Sequence, residues 1–195
     1  MKQDIILAGV GGQGILSIAY VIDKAALKRA LNLKQAEVHG MAQRGGAVQS
    51  HLRISDEAIF SDLIPRGRAD MILSMEPLEA LRYVDYLHPE GAIVTSSTPL
   101  VNIPDYPPID DVLATIRRTK RSVIVDSGGL AQQAGAARAQ NMVMLGAGSR
   151  FLVLEEADLR DFITELFAKR GESVVAANLK AFDLGREAAG AARET

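Results

Sequence analysis

Residues 5–15 read Ile-Ile-Leu-Ala-Gly-Val-Gly-Gly-Gln-Gly-Ile, and this stretch decides the fold. The apolar run that opens it is typical of a strand that is covered on both faces. After the glycines, apolar residues recur every three or four positions and predict one buried helical stripe, at Ile15, Ala19, Ile22 and Ala26. Asn32 is the predicted left-handed stop of that helix. The stretch therefore predicts a strand, a glycine turn and a helix in succession.

The glycine turn is a candidate binding site for an anion or a nucleotide-like cofactor. It fits the pattern Gly-x-Gly-x-x-Gly and lies between a predicted strand and an amphipathic helix. Glycines allow backbone N–H groups to approach an anion at the positive end of the helix. The alternative is that they only form a tight crossover. The candidate cofactor-binding residues are Gly9, Gly11, Gly12, Gln13 and Gly14.

The second strand, predicted over 33–38, leads into a loop and not into a helix. Polar and apolar residues then alternate over 48–54, which is the period of a half-buried strand, and His51 on its polar face is expected to be solvated or at an interface. Glu37 lies 23 residues after Gly14, near the position of a ribose-binding acid. A dinucleotide-binding fold would continue into a crossover helix here, so the pattern argues against an ordinary dehydrogenase.

The segment 37–46 is the second candidate site. It combines a carboxylate, an imidazole, an amide, a guanidinium and three glycines within ten residues, and functional residues concentrate in such loops. Arg44 can present two parallel N–H donors to a carboxylate or phosphate, and His39 can hold a hydrogen bond near neutral pH. The alternative is that Arg44 pairs with Glu37 and the loop shapes an interface. The candidate residues for substrate or interface contact are Glu37, His39, Gln43, Arg44, Gly45 and Gly46.

The alternation of strands and helices continues along the chain. Apolar runs at 71–75 and 122–125 predict strands, and Pro77 suits the first turn of a helix. Four of the seven prolines fall within 99–108 and predict an irregular surface excursion. The sequence contains no serine nucleophile elbow, Walker phosphate loop or close carboxylate pair, so we assign no catalytic residue.

These elements predict an α/β fold. We expect a Rossmann-like, mainly parallel sheet with helices on both faces and an antiparallel hairpin or edge strand. Helical stripes near the end of the chain predict a helical C-terminal region at about 155–188. We expect a single domain over residues 1–195.

Composition restricts the classes of function. The 195 residues carry 22 basic and 24 acidic side chains, so the net charge of −2 gives no general attraction to nucleic acid or an anionic membrane. The absence of cysteine excludes a disulfide framework and any iron–sulfur cluster ligated by this chain alone. Three scattered histidines predict no metal site. Without a leader or a long apolar stretch, the chain is expected to be cytoplasmic, with no nucleic acid or membrane partner.

Three segments together resemble one protein family: Gly9-Val-Gly-Gly-Gln-Gly-Ile15, Glu37-Val-His-Gly-Met-Ala-Gln-Arg-Gly-Gly46 with Ser50-His-Leu-Arg53, and Glu79-Ala-Leu-Arg-Tyr83. They resemble the gamma domain of the 2-oxoacid:ferredoxin oxidoreductases, and within that family the small (beta) subunits of the indolepyruvate branch. The resemblance runs to about Gly148 and includes Asn141-Met-Val-Met-Leu-Gly146. The pyruvate and 2-oxoglutarate branches usually carry a Tyr-Gly-Pro-Glu-like loop, so the loop sequence here favours an aryl pyruvate.

The resemblance implies a complex that oxidatively decarboxylates a 2-oxoacid to an acyl-CoA and passes the electrons to ferredoxin. Thiamine diphosphate, iron–sulfur clusters and coenzyme A (CoA) would be bound on or with a large partner subunit. This chain, inactive alone, would complete the active-site wall, with Arg44 and the glycine turn available to CoA or to the substrate acid. An uncovered interface patch would also favour a homodimer.

Two other functions stay open from the residues alone. One is a free-standing dinucleotide- or CoA-binding protein that uses the glycine turn and Glu37. The other is a scaffold whose loop is only an interface.

Overall fold

A computed structural model describes residues 1–40, the side chain of His39 excepted, and residues 45–191. Its strands are β1 Lys2–Val10, β2 Asn32–His39, β3 Ala47–Ser55, β4 Ala69–Ser74, β5 Leu87–Ser96 and β6 Ser122–Val125. Its α-helices are α1 Ile15–Lys28, α2 Pro77–Arg82, α3 Ile109–Arg117, α4 Ser127–Gln133, α5 Gln140–Ser149, α6 Glu156–Phe167 and α7 Glu172–Ala191. Short 3₁₀ turns cover Val84–Tyr86 and Ala168–Arg170.

The strands form one sheet in the order β2-β3-β1-β4-β5-β6. Strands β1, β4, β5 and β6 are parallel, whereas β3 is antiparallel to both β1 and β2. The predicted fold class, with its antiparallel hairpin, is confirmed. The reversed β3 brings the β2–β3 loop to the same edge of the sheet as the turns that follow β1, β4 and β5.

The central strands are buried because helices cover both faces of the sheet. Along β1, Ile5 and Leu7 point into a core shared with α1 and α4 to α7, while Ile6 and Ala8 point into a core shared with α2 and α3. The apolar run in the sequence is continuous for this reason. Within the described ranges, no helix combines the length and the apolar composition that crossing a membrane requires. Helices α6 and α7 occupy the predicted helical region, and the single-domain organisation stays a prediction.

Strand β3 differs from the prediction because its polar face is buried. His51 is only 2% exposed, and its Nδ1 accepts a hydrogen bond of 3.0 Å from the backbone N–H of Ile64. The expectation of a solvated or interfacial His51 is therefore wrong. The segment after β3 folds back over the strand, where the Arg53 guanidinium donates to the carbonyls of Ser61 and Leu63 at 3.0 and 3.1 Å. Burial, and secondarily Arg53, lower the pKa of His51, so its imidazole is held neutral as an acceptor.

The end of α1 also differs from the prediction. Ala30, and not Asn32, takes the left-handed conformation, with φ 55°, and Asn32 begins β2. The N–H groups of Ala30 and Leu31 bond back to Leu27 and Ala26, and Leu31 is buried. This is the Schellman arrangement, in which burial of the apolar residue after the left-handed position offsets the strain at Ala30.

Candidate functional site

The glycine turn between β1 and α1 depends on its glycines. Gly12 and Gly14 have φ of 102° and 84°, a region that favours glycine. A Cβ atom at Gly14 would also lie 2.7 Å from the Asn141 amide nitrogen, which hydrogen-bonds to the Gly14 carbonyl at 3.4 Å. Asn141, from the segment that resembles the family, therefore packs directly against the turn.

The side chain of Gln13 points back into the glycine turn. Its Oε1 accepts a hydrogen bond of 2.7 Å from the Val10 N–H, and its Nε2 lies 3.5 Å from the Met75 carbonyl. The side chain thus joins the ends of β1 and β4. Its contacts support a role in shaping the turn.

A cavity of about 310 Å³ opens beside the turn, and it is lined by Val10, Gly11, Gly12, Gly14, Ile15, Leu16 and Val48. The N-terminus of α1 at this cavity has no side-chain cap and no acidic residue in its first turn. Its backbone N–H groups and positive end suit an anionic group, and the apolar walls suit a carbon skeleton. The volume is at the small end of ligand pockets, so it fits part of a cofactor-sized molecule.

The end of the β2–β3 loop, residues 45 and 46, lies against this turn. The Gly11 N–H donates to the Gly46 carbonyl at 2.9 Å, and the Gly45 N–H faces the Gly11 carbonyl at 3.5 Å. A bond of 2.9 Å from the Gly40 N–H to the Ala47 carbonyl closes the base of the loop. The two candidate segments of the sequence are therefore in direct contact at the carboxyl end of β1.

Glu37 is half-buried near the end of β2, opposite Ser50 of β3. Its Oε2 lies 3.5 Å from the Gln35 amide, which donates to the Ser50 hydroxyl at 3.0 Å. Strand β3 separates β2 from β1, so Glu37 is about 10 Å, or two strand spacings, from the line of β1. A ribose-binding acid lies at the end of the strand next to β1, so the topology does not place Glu37 in that role.

Three candidates are not located by the structure. Gln43 and Arg44 lie outside the described residues, as does the side chain of His39. Their roles stay predictions.

Residues that the sequence analysis did not single out join the site to the β5–α3 loop, residues 97–108. The Asn102 amide donates to the Gly45 carbonyl at 2.7 Å, and this bond connects the loop to the β2–β3 loop. Glu76, only 1% exposed, anchors the same loop by accepting from the Leu100 N–H at 3.4 Å and from the Tyr106 hydroxyl. Burial and the bond to Glu76 raise the pKa of Tyr106, so the phenol stays protonated.

A weak signal of this arrangement was present in the sequence. Glu76 directly follows a predicted strand, and the prolines of 99–108 mark an excursion after the short run Ala92-Ile-Val-Thr95, which is also typical of a strand. Because parallel strands end at one edge of the sheet, the two segments were candidates to meet. Neither contact partner could be named, because each bond joins residues far apart in the chain.

Comparison with known proteins gives one consistent family. The model of the pyruvate ferredoxin/flavodoxin oxidoreductase family matches residues 4–188. Indolepyruvate oxidoreductase subunit IorB of Methanothermobacter thermautotrophicus is 36% identical over the whole of both chains. The protein of the same name from Archaeoglobus fulgidus is 34% identical over 95% of this chain and 94% of its own.

A solved structure has the same fold within a longer chain. The 2-oxoglutarate:ferredoxin oxidoreductase from Magnetococcus marinus, with 2-oxoglutarate, coenzyme A and succinyl-CoA bound, superposes with a TM-score of 0.79 at 26% identity. The match covers 97% of this chain and 31% of that one, so this chain spans about a third of that polypeptide.

Proposed function

The chain belongs to the pyruvate ferredoxin/flavodoxin oxidoreductase family, and on that premise we propose that it is the small subunit of an oxidoreductase acting on indolepyruvate or a related aryl pyruvate. It works with a large catalytic subunit, and the complex oxidatively decarboxylates the 2-oxoacid to an acyl-CoA with ferredoxin as the electron acceptor. The complex is cytoplasmic, and residues 1–195 act in it as one gamma-type domain. The indolepyruvate oxidoreductase subunits that it resembles over nearly their full length support the substrate class.

The observation that carries the proposal is the contact between the two candidate segments. The bond between Gly11 and Gly46 holds the β2–β3 loop beside the 310 Å³ cavity and the open end of α1. A partner docked on this edge would meet both segments together. This chain then contributes one side of the active site, with an anion-binding corner at the glycine turn. The partner contributes the reacting groups.

The cofactors of the complex are divided between the subunits in this proposal. Iron–sulfur clusters belong to the partner, because this sequence has no cysteine to ligate them. Thiamine diphosphate, also on the partner, supplies the carbanion-stabilising chemistry. Gly9, Gly11, Gly12 and Gly14 shape the corner that receives an anionic group of CoA or of the substrate.

The loop residues have distinct proposed roles. Arg44 binds a carboxylate or phosphate through two N–H donors, and His39 and Gln43 hydrogen-bond the substrate or the partner. Glu37, Gly45 and Gly46 hold the loop at the sheet edge. Removing Arg44 would then raise the KM of the complex without preventing its assembly.

A free-standing dinucleotide-binding protein is not favoured. Glu37 is two strands from β1, and β2 leads into a hairpin instead of a crossover helix. Calorimetry of the isolated chain with NAD and with CoA tests the point, since micromolar NAD binding would support that function and contradict ours.

Reconstitution with the large subunit is the decisive experiment. We expect the large subunit alone to lose most of its turnover of indolepyruvate and to regain it when this chain is added. Arg44→Ala should raise KM while the complex still forms, and Arg117→Ala, at an exposed position on α3, is the matched control. Full turnover without this chain would contradict the proposal. Light scattering of the isolated chain tests whether it forms a homodimer.

A further inference from the structure

A second cavity, of about 410 Å³, lies where α1, α5, α6 and α7 meet. It shares no lining residue with the glycine-turn cavity. Leu166, Phe167 and Val174 form apolar walls, and Arg138, Arg170 and Asn178 supply polar groups. The volume is sufficient for a small organic molecule, and nothing in the proposed function uses it.

The charge around this cavity has one sign. Among the described residues, no aspartate or glutamate lines it, although acidic residues outnumber basic ones in the chain. Other arginines, such as Arg29, Arg53 and Arg160, form ion pairs with nearby carboxylates. Arg138 and Arg170 form no ion pair or side-chain hydrogen bond within residues 1–40 and 45–191, and the Arg170 guanidinium lies 5.6 Å from the centre of the Phe167 ring. Two guanidinium groups are thus available to a ligand at one cavity.

The start of α5 adds to this potential. Ala139, the N-cap residue of this ten-residue helix, lines the cavity, and the helix has no side-chain cap and no acidic residue in its first turn. Its first backbone N–H groups and the positive end of its dipole therefore border the same space.

An amide adds an uncharged polar group to the wall of the cavity. Asn178 is 5% exposed and lines the cavity, and its Nδ2 donates to the Val174 carbonyl at 2.8 Å. Its Oδ1 receives no hydrogen bond from any of the described residues. This oxygen is not among the buried side-chain atoms that lack a partner, so it is open to the cavity and can accept a hydrogen bond from a bound molecule.

We propose that this cavity binds an organic phosphate monoester with an apolar or aromatic body. Two guanidinium charges and a helix N-terminus match a dianion, whereas a single carboxylate would leave positive charge uncompensated. The phosphate lies between Arg138, Arg170 and the start of α5. The body of the ester packs on Leu166, Phe167 and Val174, within reach of the Asn178 amide.

Calorimetry of the full-length chain with three small probes tests the proposal without any partner subunit. Phenyl phosphate carries the dianion and an aromatic body, inorganic phosphate carries the dianion alone, and benzoate carries an aromatic body with a single charge. We expect phenyl phosphate to bind most tightly. Equal affinity for benzoate would overturn the phosphate assignment, and no measurable binding of either phosphate at millimolar concentration would overturn the site.

Variants locate the binding. Arg138→Ala with Arg170→Ala should weaken phenyl phosphate binding by about tenfold or more. Arg117→Ala with Arg118→Ala, two exposed arginines at the end of α3, should leave it unchanged. Ala137→Glu adds a carboxylate at the exposed rim and should also weaken binding. All of these positions are at the surface, so thermal unfolding should stay at the wild-type temperature. Unchanged binding by the first pair, or an equal loss in the control pair, would contradict the site.

Discussion

At the scale of single residues, Gln13 shows how a side chain within a binding motif can act on the backbone of the motif. Its position among the glycines predicts a cofactor-binding residue. Its amide instead reaches the Val10 N–H and the Met75 carbonyl, so it fixes the shape of the turn. Whether it also touches a ligand stays a prediction, but its structural contribution can be measured directly.

We expect Gln13→Ala to lower the free energy of unfolding by roughly 1–3 kcal/mol, because the Val10 N–H loses its side-chain acceptor. Urea unfolding at neutral pH measures the loss. Gln13→Glu is the matched control, since it keeps a carboxylate oxygen at the same reach and should lose less. Equal losses in the two variants would show that this hydrogen bond does not stabilise the turn.

Asp23 gives a prediction on pH dependence. Burial raises the pKa of Asp23 on α1 to about 7, and its Oδ1 makes no hydrogen bond with any described residue. Between the ordinary carboxyl pKa and about 7, the folded state binds a proton that the unfolded state has released, so stability falls as pH rises through this window. The full shift would change the free energy of unfolding by about 4 kcal/mol across this window. We expect a smaller change, because the side chain is only partly shielded from water.

Asp23→Asn removes this titration. We expect the variant to gain stability over the wild type progressively from pH 5 to pH 8, in guanidinium unfolding series at each pH. Asp161→Asn, an exposed carboxylate that pairs with Lys28, is the control and should show no such gain. A difference between Asp23→Asn and wild type that does not change with pH would refute the assignment.

At the scale of secondary-structure elements, two glycines permit the close crossing of α5 and α7. A Cβ atom at Gly146 would lie 1.9 Å from the Phe182 carbonyl oxygen, and one at Gly185 would lie 1.9 Å from the Val143 carbonyl oxygen. Backbone cannot move aside as a flexible side chain can. The two helices must therefore separate if either glycine acquires a side chain.

We expect Gly146→Ala or Gly185→Ala to destabilise the fold by roughly 1–3 kcal/mol or more through overpacking. Gly128→Ala, in the first turn of α4, is the control, because its Cβ would meet no atom closer than 3.6 Å. That change should be neutral or slightly stabilising through helix propensity. Thermal and urea unfolding compare the three, and similar stability in all of them would mean that the crossing is not tightly packed.

The β5–α3 loop supports a further prediction. Asn102 is the hydrogen-bond donor from this loop to the β2–β3 loop, while Glu76 and Tyr106 anchor it from beneath. We expect Asn102→Ala to speed amide hydrogen exchange at Gly45 and Gly46 severalfold, with little change in overall stability. Asn32→Ala, which removes a longer bond of 3.4 Å at the opposite end of the hairpin, is the control. Unchanged exchange at the loop would show that Asn102 does not restrain it.

At the scale of the whole molecule, periodicity predicted the sheet and its covering helices correctly. Ile5 to Ala8 indicated a doubly covered strand, and the glycines after 39 indicated a hairpin in place of a crossover helix. The burial of His51 was missed because the segment that covers it is supplied by tertiary folding and leaves no mark on the alternation within β3. The contacts of Glu76 and Asn102 were missed for the same reason, since a single bond between distant loops has no local pattern.

The exposed apolar side chains bear on assembly. Leu16 and Val101 are 56% and 67% exposed, and both lie at the sheet edge that carries the candidate site. We expect Leu16→Asp or Val101→Asp to weaken binding to the large subunit by about 2 kcal/mol, as an interface centre would. Leu27→Asp, 57% exposed near the other end of α1, should have no effect. Biosensor titration with the large subunit measures the affinity of each variant. If Leu27→Asp were the only variant to weaken binding, docking at this edge would be contradicted.

The closed base of the β2–β3 loop has an evolutionary consequence. Because the bond from Gly40 to Ala47 ends the ladder of β2 and β3, we expect both strands to keep their register when the residues between them are exchanged. If this loop contacts the substrate, as we propose, relatives that act on different 2-oxoacids would differ there and keep the same scaffold. Exchanging the loop between branches would then alter substrate choice.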